Sequence, residues 1–196
     1  MGQQIDIQDI KRSMEKHQDP ERFEHTMGVS YIAAALAMRY GYNIEKAQLA
    51  GLLHDCAKHY SHEKILQSCE KYNISMTDVE RENPFLLHAK LGAFLAMHKY
   101  HVKDEEIIGA ILVHTTGKPD MNLLDKIIYV ADYIEPGRDK APNLAEIRAL
   151  AFTDLDAALR RILEDTITHL KEKNGPIDDM SCRAWEYYKE TKQEEV

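Results

Sequence analysis

The sequence predicts an all-α protein, and three observations carry that prediction. Apolar residues recur at three- and four-residue steps through most of the chain, and no run of β-branched alternation lasts long enough to form a sheet. Gly41, Asn43 and the pair Pro136–Gly137 fall between the periodic stretches, where helices begin and end. At 196 residues, 44% of them hydrophobic and 30% charged, the chain is long enough for a single domain with a well-buried core.

The elements follow in order. Residues 1–19 supply an N-terminal helix. Residues 23–40, "FEHTMGVSYIAAALAMRY", are rich in good helix formers and close at Gly41, which suits a C-cap. Asn43 caps a second helix over about 44–57, whose packing side carries Ala47, Ala50, Gly51 and Leu53; small side chains there let helices approach closely. Ser61 opens the amphipathic "SHEKILQSCEKY" over 61–72. Residues 85–100, "FLLHAKLGAFLAMHKY", form a largely buried helix, and 104–114, "DEEIIGAILVH", begins with acids that favour a helix N-terminus. After the loop "TTGKPDMN", residues 122–135 have too many apolar positions for a surface helix and end at Pro136–Gly137. A second loop, "RDKAPN", leads to an amphipathic outer helix from Phe152 to Leu170. The end, "ETKQEEV", reads as frayed.

Composition excludes several classes of function. The net charge of −8 provides no general basic surface for nucleic acid or anionic lipid. No signal-type segment or membrane-length apolar run is present, which predicts a cytoplasmic protein with no membrane partner. Cys56, Cys69 and Cys182 lack paired metal-ligand spacing and read as reduced thiols.

The ten histidines divide into two groups. His17, His59, His62, His98, His101 and His169 sit among polar residues and read as surface side chains. His25, His54, His88 and His114 lie in or beside apolar helical stretches, as do Asp55 and Asp132. Any one of these could be a core group bonded to a backbone carbonyl or a carboxylate. Six such groups on five apolar helices are most cheaply satisfied if they converge. Imidazoles with carboxylates around a divalent ion form a familiar coordination set, which accepts iron, manganese, cobalt or zinc.

These residues resemble the HD-domain superfamily of metal-dependent phosphohydrolases, whose signature of a His, a His-Asp doublet and a later Asp is matched by His25, His54–Asp55 and Asp132. The stretches "RFEHT", "LLHDCAK", "LLHAKLGA", "HTTGK" and "LLDKIIYVADYIEPGR" are similar to its YqeK-type branch, the symmetrical bis(5'-nucleosyl)-tetraphosphatases. The resemblance covers about residues 20–175, leaving 176–196 as a C-terminal extension. It implies a single-domain helical bundle around a buried site for two metal ions, usually iron. Asp55 would bridge the ions, His25, His54 and Asp132 would complete the first, and His88 and His114 would hold the second.

Two ions can share a hydroxide, lower the pKa of water from 15.7 toward roughly 7 and clamp a phosphate during in-line attack. Lys58 lies three positions after Asp55 on the same side of a helix and is placed for a phosphate contact. Thr115, Thr116, Gly117 and Lys118 could cradle phosphate through backbone amides, and Arg138, with Lys140 nearby, is placed for the far phosphates or a base. The resulting expectation is cleavage of diadenosine tetraphosphate into two ADP, with Asp55 and Lys58 as the catalytic residues. Other nucleotide substrates, a nucleotide-binding regulator and a metal-free helical interaction protein remain open, and a homodimer is compatible with the sequence.

Overall fold

The computed structural model describes residues 6–175 and 177–190. Among these residues there is no strand, and none of the helices is long and apolar enough to cross a membrane. The expected frayed end lies, beyond Glu190, outside the described residues.

Helix α1 (Ile7–His17) is amphipathic and seats Ile10 and Met14 on the core. Helix α2 (Pro20–Tyr40) starts with proline in its first turn, where no amide partner is lost, and the Asp19 side chain accepts from the Arg22 amide. Gly41 closes α2 in the left-handed conformation at φ 70°. Helix α3 (Ile44–Leu53), capped by Asn43, then folds back along α2. A Cβ on Gly51 would stand 2.8 Å from the Ser30 Cα, so the close crossing of α2 and α3 demands glycine.

Helix α3 ends four residues earlier than the expected 44–57 span, and residues 54–59 form successive turns. The His54 ring takes the Gly51 carbonyl at 2.6 Å, an acceptor that continued helix would have used for a backbone amide. The chain tightens there to three-residue steps, as in Cys56 N to Leu53 O and Lys58 N to Asp55 O.

Helix α4 (His62–Lys71) covers a small apolar cluster of Ala57, Ile65, Cys69, Leu87 and Leu91, and the short α5 (Asp78–Glu82) packs on the 3-10 turn that follows it. A 3-10 turn at Pro84–Leu86 leads into α6 (Leu87–His98), followed by α7 (Glu105–Val113). Helix α8 (Leu123–Ile134) is central and packs against α2, α3, α7 and α10. Its Leu124, Ile127, Ile128, Val130 and Ala131 are wholly buried, each large side chain contributing about 1.5–3 kcal/mol of burial.

Helix α9 (Leu144–Ala151), which periodicity did not single out, precedes α10 (Leu155–Glu172). Asp154 caps α10, so Phe152 lies in the connection rather than in the expected helix. Helix α11 (Asp179–Lys189) buries Ala184 and Tyr188, and the Tyr188 hydroxyl accepts from the Met121 amide at 2.7 Å. The three cysteines are free.

Candidate metal centre

Four helix ends and one helix interior deliver six side chains to one point. His25 comes from α2, His54 and Asp55 from the turn after α3, His88 from the start of α6, His114 from the end of α7 and Asp132 from α8. His54, Asp55, His88 and His114 are buried almost completely. The outer Nδ1 atoms are all tied. His54, His88 and His114 donate theirs to the carbonyls of Gly51, Phe85 and Ile111, and His25 Nδ1 lies 3.1 Å from Glu135 Oε1. Such outer contacts fix the tautomer and turn the Nε2 lone pairs inward.

Asp55 divides the cluster. Its Oδ2 lies 3.5 Å from His54 Nε2 and 3.7 Å from His25 Nε2, and His25 Nε2 is 3.2 Å from Asp132 Oδ1. Its Oδ1 lies 3.2 Å from His88 Nε2 and 3.4 Å from His114 Nε2. The triplets His25, His54, Asp55 and Asp55, His88, His114 each bring their ligand atoms within 4.8 Å of one another.

The residues fit a cation. Because backbone carbonyls only accept, the His88 and His114 rings carry their hydrogen at Nδ1, and their Nε2 lone pairs point at each other across 3.1 Å. Burial, with Asp55 only partly opposing it, pushes the His88 pKa down to about 4, so this ring is neutral at pH 7. Asp55 Oδ1 faces those lone pairs and accepts no hydrogen bond from the described residues. That oxygen and the two imidazole lone pairs converge beside the Lys58 ammonium, 3.4 Å from Asp55 Oδ1 and 3.5 Å from His88 Nε2, and present three ligand atoms to a cation.

The other half behaves differently. Burial acts to lower the His25 pKa, but Asp132, Glu135 and Asp55 outweigh it and raise it. Burial likewise acts to raise Asp55, yet the surrounding side chains, His54 foremost, outweigh it and hold its carboxyl well below the usual range. Asp132 is lowered too, its burial outweighed by His25 and His54.

Three cations border the cluster. Lys58 Nζ is 3.4 Å from Asp55 Oδ1 and 4.5 Å from the centre of the Phe85 ring, so the turn geometry still places it beside the doublet. Arg138 Nη2 bonds Asp132 Oδ1 at 2.8 Å. Arg22 Nη1 bonds Asp55 Oδ2 at 3.0 Å, a contact the sequence reading missed, as it missed Glu135. The available signal was spacing: Arg22 is three residues before His25, and Glu135 three after Asp132.

The 115–118 segment splits. Thr115 Oγ1 is 3.2 Å from both His88 and His114 Nε2. The Thr116 hydroxyl turns to the Gly117 carbonyl, and Gly117 packs toward Met121, Leu163 and Ala184. Lys118 Nζ pairs with Asp125 at 2.8 Å, at the N-terminal turn of α8. Of the four residues expected to cradle phosphate, the structure brings Thr115 alone to the cluster, because Gly117 ends the α7 turn in the left-handed region and redirects the chain toward α10 and α11. Of the six histidines read as surface side chains, five are exposed and His59 is partly buried.

Among the described residues a cleft of only about 40 Å³ borders His88 and Lys58, and two larger ones open on the cluster. One, of about 570 Å³, borders His25 and Glu135. The other, of about 210 Å³, borders His114, Asp132 and Lys58, and Arg138 lines both.

Residues 22–137 match the HD domain family. A Bacillus subtilis protein named "Bis(5'-nucleosyl)-tetraphosphatase, symmetrical" is 42% identical over 86% of this chain and 87% of its own length. A protein of the same name from Halalkalibacterium halodurans is 40% identical over 82% of this chain and 85% of its own. The crystal structure of a predicted HD superfamily hydrolase involved in NAD metabolism from Clostridium acetobutylicum superposes with a TM-score of 0.91 at 37% identity, covering 95% of this chain and 98% of that one. The His25, His54–Asp55 and Asp132 set lies wholly inside the matched segment, and the chain belongs to the HD domain family.

Proposed function

We propose that this protein is a metal-dependent phosphoanhydride hydrolase that cleaves diadenosine tetraphosphate symmetrically into two ADP. The observation that carries the reading is the division of Asp55, one oxygen toward each set of imidazoles, between two clefts with cations at their junction. The names of the relatives support the choice of substrate.

His25, His54, Asp55 and Asp132 would hold one ion, and His88 and His114, sharing Asp55, a second. Iron is favoured by the resemblance, with manganese, cobalt and zinc compatible with the same N/O donors. Bound there, such ions supply Lewis acidity that makes water nucleophilic at neutral pH and polarises a phosphoryl oxygen.

The chain's own groups do the rest. Lys58, kept beside Asp55 and braced by the Phe85 ring, is placed to meet charge developing on a phosphoryl oxygen. Arg22 and Arg138, now on the carboxylates of Asp55 and Asp132, are placed to take up substrate phosphates at the junction. Thr115 offers a hydroxyl on the inner side. With an inner phosphate centred on the cluster, the two halves of a dinucleotide extend into the two clefts, and the leaving group is a nucleoside diphosphate.

The test is hydrolysis in water enriched in heavy oxygen. ADP should be the sole product, with label on one of the two molecules formed per turnover. AMP with ATP would sink the symmetrical assignment, and free inorganic phosphate would identify an end-on phosphatase.

A further inference from the structure

We infer that the site reads one nucleoside of its substrate and leaves the other unread, and that residues 138–166, beyond the segment matched by the HD domain family, complete a reading wall whose rings lie inside it. This rests on the dinucleotide reading above and adds which half is recognised, and by what.

The two clefts differ in chemistry. The His25 side is bordered by Asp19, Glu21, Glu24 and Asp139 with Arg22 and Lys140, and among the described residues its one ring is the His25 imidazole, which is turned to the cluster. Carboxylates there can accept from sugar hydroxyls, but a base finds no ring to stack on, an interaction worth about 1–3 kcal/mol per base where it exists. The His114 side has the rings of Phe85 and Tyr133, the apolar Ala141 and Ile162, and the Thr166 hydroxyl. Its volume of about 210 Å³ is below the roughly 300–1,000 Å³ of sites that enclose a whole small molecule. It suits one flat heterocycle whose sugar and phosphates lie outside, toward the cluster.

That wall is fixed. The Tyr133 hydroxyl donates to the Pro142 carbonyl at 3.1 Å, and Asn143 Nδ2 bonds both carboxylate oxygens of Asp165 on α10, at 3.0 and 2.9 Å. Arg148 bonds the carbonyls of Ile134, Glu135 and Arg138, tying the 138–143 loop to the end of α8 that carries Asp132. The cluster residues lie within 22–137, whereas Ala141, Ile162 and Thr166 lie past it. The HD segment therefore supplies the reaction centre and the rings, and Ala141 with Ile162 and Thr166 of α10 close the cleft around the base.

The experiment has a binding arm and a kinetic arm, both on the full metal-loaded chain. Calorimetry compares ADP with methylenediphosphonate, a base-free diphosphate analogue. Wild type should bind ADP at least about tenfold more tightly, or about 1.4 kcal/mol. Ala141→Trp and Thr166→Trp, which fill the cleft from a loop and from a helix, should each bring the two ligands within about twofold of each other. Metal content and helical signal should stay at wild-type levels. Absence of the preference in wild type, or its survival in both metal-loaded variants, overturns the inference.

In the kinetic arm, diadenosine tetraphosphate offers two productive orientations and the mixed adenosine–uridine tetraphosphate one. The mixed substrate should keep about half the kcat/KM, while the diuridine compound should fall at least about tenfold. Equal successive losses from the first to the second to the third would mean that both halves are read. If ADP is not the product from diadenosine tetraphosphate, the function proposed above fails while the binding arm still decides the base cleft. If ADP is the product and the filled variants keep their preference, that function stands and this inference falls.

Discussion

Oδ1 of Asp55 lies 3.2 Å from Nε2 of His88, two ligand atoms turned on one another that a bound cation would join. Removing Asp55 takes an oxygen from both halves of the cluster; removing His88 takes a nitrogen from one. Elemental analysis of protein purified without chelator should find one to two equivalents of transition metal in wild type and little in Asp55→Ala. His88→Ala and His114→Ala should each keep about one equivalent and lose most turnover, since one of two Lewis acids is gone. His101→Ala, on an exposed side chain, should match wild type. Full metal content in Asp55→Ala would rule out the bridging role.

His25 gives the pH dependence of loading. Its pKa lies above 6.5 in the metal-free chain because Asp132, Glu135 and Asp55 outweigh burial. Below its titration the ring holds both hydrogens, and a cation must expel one to reach Nε2. The sign follows: apparent affinity rises with pH through the His25 titration and levels off above it. Calorimetry in buffers of different ionisation enthalpy should register proton release at pH 6.5 that shrinks as pH rises. Glu135→Gln removes one of the charges that raise this pKa and should reduce the release. Loading with no proton release at pH 6.5 would take His25 out of the ligand set.

Lys118 and Lys58 should separate stability from turnover. Lys118 pairs with Asp125, whose carboxylate is fully buried and whose Oδ2 also accepts from the Asn122 amide. Lys118→Ala leaves that carboxylate short of a partner, at a cost of about 1–3 kcal/mol, and should lower the melting temperature while leaving KM unchanged. Lys58→Ala should instead lower kcat with little change in melting temperature, as expected for a contact made chiefly in the transition state. A KM rise in Lys118→Ala would restore it to the phosphate path.

The convergence of the six side chains was legible because each is a costly polar group in or beside an apolar helical stretch, a contrast that survives in one dimension. Arg22 was not, because an arginine near a helix start looks like any solvated one until Asp55 is placed beside it. Thr116, Gly117 and Lys118 were drawn toward the site by adjacency to His114. The direction a chain takes after a helix end is set by backbone conformation, here Gly117 at φ 67°, and not by sequence neighbours. Helix α11 carries no Leu, Ile, Val or Phe to mark a core face, and its docking of Ala184 and Tyr188 shows what holds it. The early end of α3 had the same origin: a ring competing for the Gly51 carbonyl leaves no trace in hydrophobic periodicity.

Gly51→Ala tests the helix crossing. A methyl group would meet the Ser30 backbone at 2.8 Å, and backbone cannot rotate away as a side chain can. The overpacking should cost about 1–3 kcal/mol, with each kcal/mol lowering the melting temperature by about 2–4 °C in a chain of this size. A melting temperature equal to wild type would show that the two helices can separate freely.

That crossing is also a fulcrum. Ser30 sits five residues beyond His25 on α2, and Gly51 three residues before His54, so the two ligands are the tips of two short arms hinged at one point of contact. At 1.5 Å of rise per residue the arms are about 7.5 and 4.5 Å long, comparable with the ligand spacing itself. Prying the helices apart by a few tenths of an ångström at the hinge swings the tips by a similar amount, and coordination bonds tolerate only about ±0.2 Å. The tuning of a metal bound there would thus be vested partly in a glycine that holds only the outer nitrogen of His54, where drift in packing would detune the chemistry with every candidate ligand still in place.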